Sequence, residues 1–182
     1  MKKNLFYRQY FNNLSKLIYD EGFNELVTIE KKILEIKKKK YSIFVYGNGG
    51  SAAVASHFNI DAFNKCGIKS NTLGDKSLIT CLANDYGFEN LIKISLLRFA
   101  TKKDLVILIS SSGESRNMIN AAKFCKNKKI FLITLTGFNR NNSLKKLGNI
   151  NLWVNSKEYN YIENIHQLWL LSVLDKISNK LK

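Results

Sequence analysis

Proline is absent from this chain, so no proline-rich spacer divides it, and no other linker or internal repeat is visible. Cysteine is scarce. Cys66, Cys81 and Cys125 are widely spaced and form no paired motif, which argues against a disulfide framework or a zinc ribbon and leaves free thiols. Long hydrophobic runs are missing too. None reaches the roughly eighteen apolar residues of a membrane span. The opening Met1-Lys2-Lys3-Asn4-Leu5-Phe6 lacks the apolar centre of a signal peptide. A cytoplasmic protein with no membrane partner is expected. Acidic residues are few, 14 against 29 basic ones, and the net charge is +15. That balance suits nucleic-acid binders. The lysines are spread, however, apart from Lys37 to Lys40 and Lys126 to Lys129, and both clusters fall where a helix should end, which suits the helix dipole. With so many Asn and Lys residues the charge reads as compositional bias. A nucleic-acid partner is not expected, and an anionic substrate is compatible with the charge.

What is present supports a substantial core. Hydrophobic residues make up 45% of 182, enough for one well-buried domain over 1–182. Residues 4–20 and 22–39 carry helical apolar stripes, Leu5, Phe6, Tyr10, Leu14, Leu17 and Ile18 in the first, with Gly22 as the break. They form a helical extension over 1–40. From 41 to 182 strands and helices alternate. Strands are expected near 41–46, 69–73, 104–109, 129–135 and 150–154; helices near 51–64, 77–83, 88–100, 115–126, 143–147 and 159–181. Such alternation predicts an α/β fold, a three-layer α/β/α sandwich around a five-stranded parallel sheet. Phe6, Phe11, Tyr19, Trp169, Leu170, Leu171 and Leu174 are either subunit-interface residues or ordinary intrachain packing.

Two loops carry the chemistry. Tyr41 to Tyr46 is a β-rich run that ends in Gly47-Asn48-Gly49-Gly50 and opens a helix at Ser51. Glycines let the backbone approach a ligand, and the helix start presents N–H groups to an anion. The second loop, Ser110-Ser111-Ser112-Gly113-Glu114-Ser115, also lies between an apolar strand and a helical stripe. Its hydroxyls can donate to phosphate oxygens; the competing reading is helix capping by Ser112 or Ser115. Both loops fall at strand carboxyl ends, where such sheets bind ligands. His57 and Asp61 share a helix face at i,i+4 and could form a metal pair or an acid–base pair. Glu163 and His166, three apart on the last helix, could face the same cleft.

The segment Gly47-Asn48-Gly49-Gly50-Ser51-Ala52-Ala53 with His57-Phe58 resembles the signature of sugar isomerase (SIS) domains of the phosphoheptose isomerase type. Ala83-Asn84-Asp85-Tyr86-Gly87-Phe88, Ile109 to Ser115, Thr134-Leu135-Thr136-Gly137 and Glu163-Asn164-Ile165-His166 match that family in kind and order. The resemblance implies a flavodoxin-like SIS fold and a phosphorylated-sugar site built from Asn48, Gly49, Gly50, Ser51, Lys65, Asp85, Ser110, Ser111, Ser112 and Ser115. Lys65 falls where the isomerases carry an arginine, and otherwise reads as a solvated helix end. Family members are homotetramers with sites at subunit boundaries. Their activity is aldose–ketose isomerisation of sedoheptulose 7-phosphate, or a similar ketose phosphate, through an enediol for cell-surface heptose synthesis. In them a helix His and Glu, with a last-helix Gln and a His eight residues on, supply acid–base groups and can hold zinc. The corresponding positions here are His57, Asp61, Glu163 and Leu171. The second histidine is missing, so the candidate catalytic set becomes Asp61 or Glu163 as base with His57 or His166 as acid, and His57, Asp61 and Glu163 as zinc ligands. The alternative function is a non-catalytic SIS protein, a sugar-phosphate sensor or an adaptor of the kind that associates with the replication initiator.

Overall fold

The computed structural model describes residues 4–20 and 22–180; the expected last residue of the final helix, 181, lies outside them. The elements run α1 (Leu5–Asp20), α2 (Phe23–Lys38), β1 (Ser42–Gly47), α3 (Gly50–Asn64), β2 (Lys69–Asn71), α4 (Lys76–Tyr86), α5 (Leu91–Phe99), β3 (Leu105–Ser110), α6 (Arg116–Lys128), β4 (Phe131–Thr136), β5 (Ile150–Trp153) and α7 (Tyr159–Asn179). All strand pairs are parallel, in the order β2-β1-β3-β4-β5. This is the doubly wound flavodoxin-like order, whose connections diverge between β1 and β3.

The two-residue period of the strands builds two cores. Ile43 and Val45 of β1 with Leu105, Ile107 and Ile109 of β3 face α2, α3 and α7. Phe44 and Tyr46 with Val106 and Leu108 face α4, α5 and α6. Every residue of β3 is buried, as a central parallel strand covered on both faces requires. Local signals set the ends. Asp75 caps α4 by accepting from the Leu78 N–H at 2.7 Å, and Lys129 turns left-handed (φ 56°) to stop α6. The expected helix over 143–147 shrinks from its N-terminal side to a single 3-10 turn, Lys145–Leu147, where Ser143 and Leu144 are instead tied to the loop before α6. Conversely α4 continues past the expected 83 to Tyr86, which places Asn84 and Asp85 on its last turn.

The apolar residues of the terminal helices divide between the two readings. Trp169, Leu170 and Leu174 are buried in the core of the same chain, and Leu171 packs partly buried against it. By contrast α1 has no buried residue. It touches α7 through the Tyr10–Tyr161 ring pair, centroids 4.6 Å apart, and leaves Phe6 67%, Phe11 62% and Tyr19 70% exposed. Glu30 of α2 is buried and bridges to Lys176 at 2.8 Å and Lys180 at 2.5 Å on α7. Those two ammonium groups hold its carboxyl below the usual carboxylate range.

Candidate active site

At the carboxyl end of β1 the chain must turn at once into α3. The turn is tight: a Cβ on Gly47 would stand 2.3 Å from the Ser51 carbonyl, a distance that only glycine avoids. Gly50 has a different task. A Cβ there would lie 2.0 Å from Oε2 of Glu163, so the missing side chain is the space that the Glu163 carboxylate fills. Ser51, the next residue, is buried, and its hydroxyl donates to Glu163 Oε1 at 3.5 Å. From the other loop, the Ser111 hydroxyl reaches the same oxygen at 3.5 Å. Glu163, projecting from α7, thus stands at the junction of the two loops with two long hydroxyl contacts.

The serine loop follows β3 and enters α6. Ser110 and Ser111 are buried, Ser112 and Ser115 half-buried. Ser110 and Ser115 bond to one another at 3.2 Å, and the Ser112 hydroxyl accepts the Glu114 N–H at 3.2 Å. Ser115 occupies the N-cap position of α6 without a side-chain capping bond. Helix capping therefore does not account for these hydroxyls. The loop is held from outside by Leu144 N–H to the Gly113 carbonyl, 2.9 Å, and Ser143 N–H to the Glu114 carboxylate, 2.8 Å.

A pair of amides locks the two loops together. Asn48 Nδ2 donates to Asn117 Oδ1 at 3.0 Å, and Asn117 Nδ2 donates back to Asn48 Oδ1 at 2.8 Å. The buried Asn117 oxygen also accepts the Met118 N–H at 3.0 Å. Asn117 went unnoticed in the sequence. Its one signal is an amide interrupting the apolar stripe in the first turn after the serines. Beside the glycine loop lies a cavity of about 210 Å³ lined by Tyr46, Asn48, Ala52, Leu73, Phe88 and Leu91, among others.

The remaining expected residues are not gathered here. His57 is exposed on α3, with Nε2 3.8 Å from Asp61 Oδ2. Asp61 is buried, and the same oxygen meets the Lys65 ammonium at 2.8 Å; Lys65 also reaches Asp175 of α7 at 3.3 Å. Asp61 first and Asp175 second push the Lys65 pKa up. Lys65 is therefore a tie between α3 and α7 in this chain, rather than a bare helix-end cation. Asp85 is exposed on α4, bonded to its neighbour Asn84 at 3.0 Å.

His166 does not reach the cleft. It is wholly buried, with Nε2 3.1 Å from the Thr136 carbonyl, and Nδ1 has no partner. A carbonyl only accepts, so Nε2 carries the hydrogen, and the buried Nδ1, with no acceptor to receive a second one, keeps the ring neutral. Burial lowers its pKa to about 4, only partly opposed by the Thr136 carbonyl. The i,i+3 spacing from Glu163 turns His166 toward the core while Glu163 points at the loops. A zinc ion does not fit the expected ligands. Among the described residues no three His, Cys, Asp or Glu side chains form a group that could hold a metal, and an ammonium already sits on the Asp61 oxygen.

Comparison with known proteins gives a consistent result. A family profile described as the SIS domain matches residues 6–137. The phosphoheptose isomerase of Aliarcobacter butzleri is 35% identical over 159 residues, 83% of this chain and 82% of that protein. Phosphoheptose isomerase 2 of Campylobacter jejuni is 36% identical over 129 residues, 67% of this chain but 64% of that protein. In fold, the structure of a phosphoheptose isomerase from Francisella tularensis superposes with a TM-score of 0.89 at 24% identity, covering 98% of this chain and 100% of that one.

Proposed function

Since the chain belongs to the SIS-domain family, with relatives of the phosphoheptose isomerase type, we propose that it is a sugar-phosphate isomerase interconverting the ketose and aldose forms of sedoheptulose 7-phosphate or a similar ketose phosphate. The observation that carries this reading is Glu163, whose carboxylate stands where the glycine and serine loops meet. Ser110, Ser112 and Ser115, with the first N–H groups of α6, hold the phosphate; hydroxyls and a helix start suit that anion. Asn48, Gly49, Gly50 and Ser51 border the sugar. A fixed phosphate orients the reacting carbons and lends its binding energy to the chemical step.

Proton transfer needs one group that both takes and returns a proton near neutral pH. Glu163 removes the proton from the carbon α to the carbonyl, the electron pair forms the enediol, and the same carboxyl returns the proton to the neighbouring carbon. His57 is the acid toward the carbonyl oxygen. Asp61 orients His57 and Lys65 rather than acting as base, because its outer oxygen is already bound to an ammonium. His57 rides an exposed face of α3 flanked by Ile60, 59% exposed, and Phe63, 70% exposed. That apolar face, with Phe6, Phe11 and Tyr19 of α1, supports a homotetramer whose neighbouring chains cover His57. No described helix is long and apolar enough to cross a membrane; the enzyme works in the cytoplasm, in synthesis of surface heptose.

Solvent deuterium exchange into a bound ketose phosphate tests the reading, since it registers proton abstraction even when turnover is slow. Glu163→Gln should keep affinity in calorimetry and lower exchange about 10²–10⁴-fold. Exchange that survives this substitution removes Glu163 from the role. An unmodified protein that exchanges no C5–C7 ketose phosphate is a binding protein, not an isomerase.

A further inference from the structure

At the opposite end of the sheet from both loops lies a cavity of about 530 Å³ that five lysines line: Lys32, Lys102, Lys126, Lys129 and Lys146, with Asn149. They come from four separate segments. Lys32 is on α2, Lys102 precedes β3, Lys126 and Lys129 end α6, and Lys146 lies in the turn before β5. No acidic residue lines the cavity. Lys32 pairs with Glu35 at 3.0 Å and lies over the Phe131 ring, 4.6 Å from its centroid. Among the described residues Lys102, Lys126, Lys129 and Lys146 make no ion pair.

Composition explains many lysines, and the carbonyl end of α6 explains Lys126 and Lys129. Neither explains why Lys32, Lys102 and Lys146, distant in sequence, turn toward the same hollow. Among the described residues only Lys32 has a counter-charge, in Glu35; the other four ammonium groups repel one another, and a concave surface of one sign focuses the field on an incoming anion. Asn149 adds polar direction: its Oδ1 accepts the Leu132 N–H at 2.8 Å, which leaves its amide N–H groups as donors.

We propose that this cavity is a second anion site that takes a small molecule bearing several consecutive phosphoryl groups. Its volume lies in the range of small-molecule sites. Point-charge ammonium groups recognise phosphate without fixed geometry. A nucleic acid is the poorer occupant, because base stacking needs an open aromatic face and the face of Phe131, the lining aromatic, is covered by Lys32. The site is separate from the isomerase cleft and does not depend on the assignment made there.

Calorimetry with inorganic tripolyphosphate at low ionic strength tests this. The unmodified protein should bind, and Lys126→Gln with Lys146→Gln should weaken binding tenfold or more. Lys69→Gln with Lys123→Gln removes the same charge outside the cavity and should change it less than twofold. ATP in place of tripolyphosphate separates the sources of the shared chemistry: equal affinity assigns a phosphate chain, tighter binding a nucleotide. Absence of binding, or equal losses in both lysine pairs, overturns the proposal. So does a single-stranded oligonucleotide that binds tighter than tripolyphosphate through the same lysines.

Discussion

Acidification should unload the fold through one imidazole. His166 is fully buried and neutral, with Nδ1 unpartnered, and burial lowers its pKa from the ordinary 6.5 to about 4. In the unfolded chain the ring takes a proton as pH falls through 6.5; in the folded chain it does so only near 4. Protons therefore favour the unfolded state in that window. Stability is fully present above pH 6.5, is lost between pH 6.5 and about 4, and levels off below. At about 1.4 kcal/mol per pH unit of the gap, the cost attributable to this group is about 2 kcal/mol at pH 5 and about 3 kcal/mol near pH 4. Against a typical domain stability of about 5–15 kcal/mol this is readily measured. Urea unfolding at several pH values, run beside His166→Gln, gives the assay. Glutamine can still donate an N–H to the Thr136 carbonyl and does not titrate between pH 4 and 8. Subtracting the variant removes the contributions of Glu30 and of every other group common to both proteins. The difference should open toward acid by about 2 kcal/mol at pH 5. Curves that stay parallel within about 0.5 kcal/mol from pH 7.5 to 5 would refute a desolvated, singly bonded His166.

Two other outcomes follow from packing. In Gly50→Ala the new methyl meets Glu163 Oε2, the movable end of a side chain; turnover should fall about 10²-fold while the thermal midpoint moves by no more than about 4 °C, and unaltered turnover would show that the carboxylate position is unimportant. Phe6→Glu with Phe63→Glu places charge on the exposed apolar faces of α1 and α3; sedimentation should show smaller species than the unmodified protein, and an unmodified protein that sediments as a compact monomer would end the proposed homotetramer and its subunit-boundary reading.

The strand–helix alternation, both loops and most element boundaries were legible in the chain, because those features depend on near neighbours. The apolar run Leu105–Ile109 is a buried strand in any context that covers both its faces. Glycines and serines between a strand and a helix mark an anion-binding turn wherever it lies. The 143–147 segment is the exception: Ser143 and Leu144 tie to the distant serine loop, and only Lys145–Leu147 turns. What the residues could not give was direction around a helix relative to distant elements. Glu163 and His166 are three positions apart, close enough to suggest one face. Yet only the docking of α7 against the sheet turns the carboxylate to Ser51 and Ser111 and buries the imidazole under Thr136. Likewise His57 and Asp61 read as a metal or acid–base pair, whereas in the fold the Lys65 ammonium, four residues on, occupies the Asp61 oxygen and also reaches Asp175 of α7. Long-range packing decided these roles, because a side chain's pKa and reach are set by what surrounds it in space; the partners that Glu163, His166 and Lys65 find on other elements lie 30 to 112 positions away along the chain.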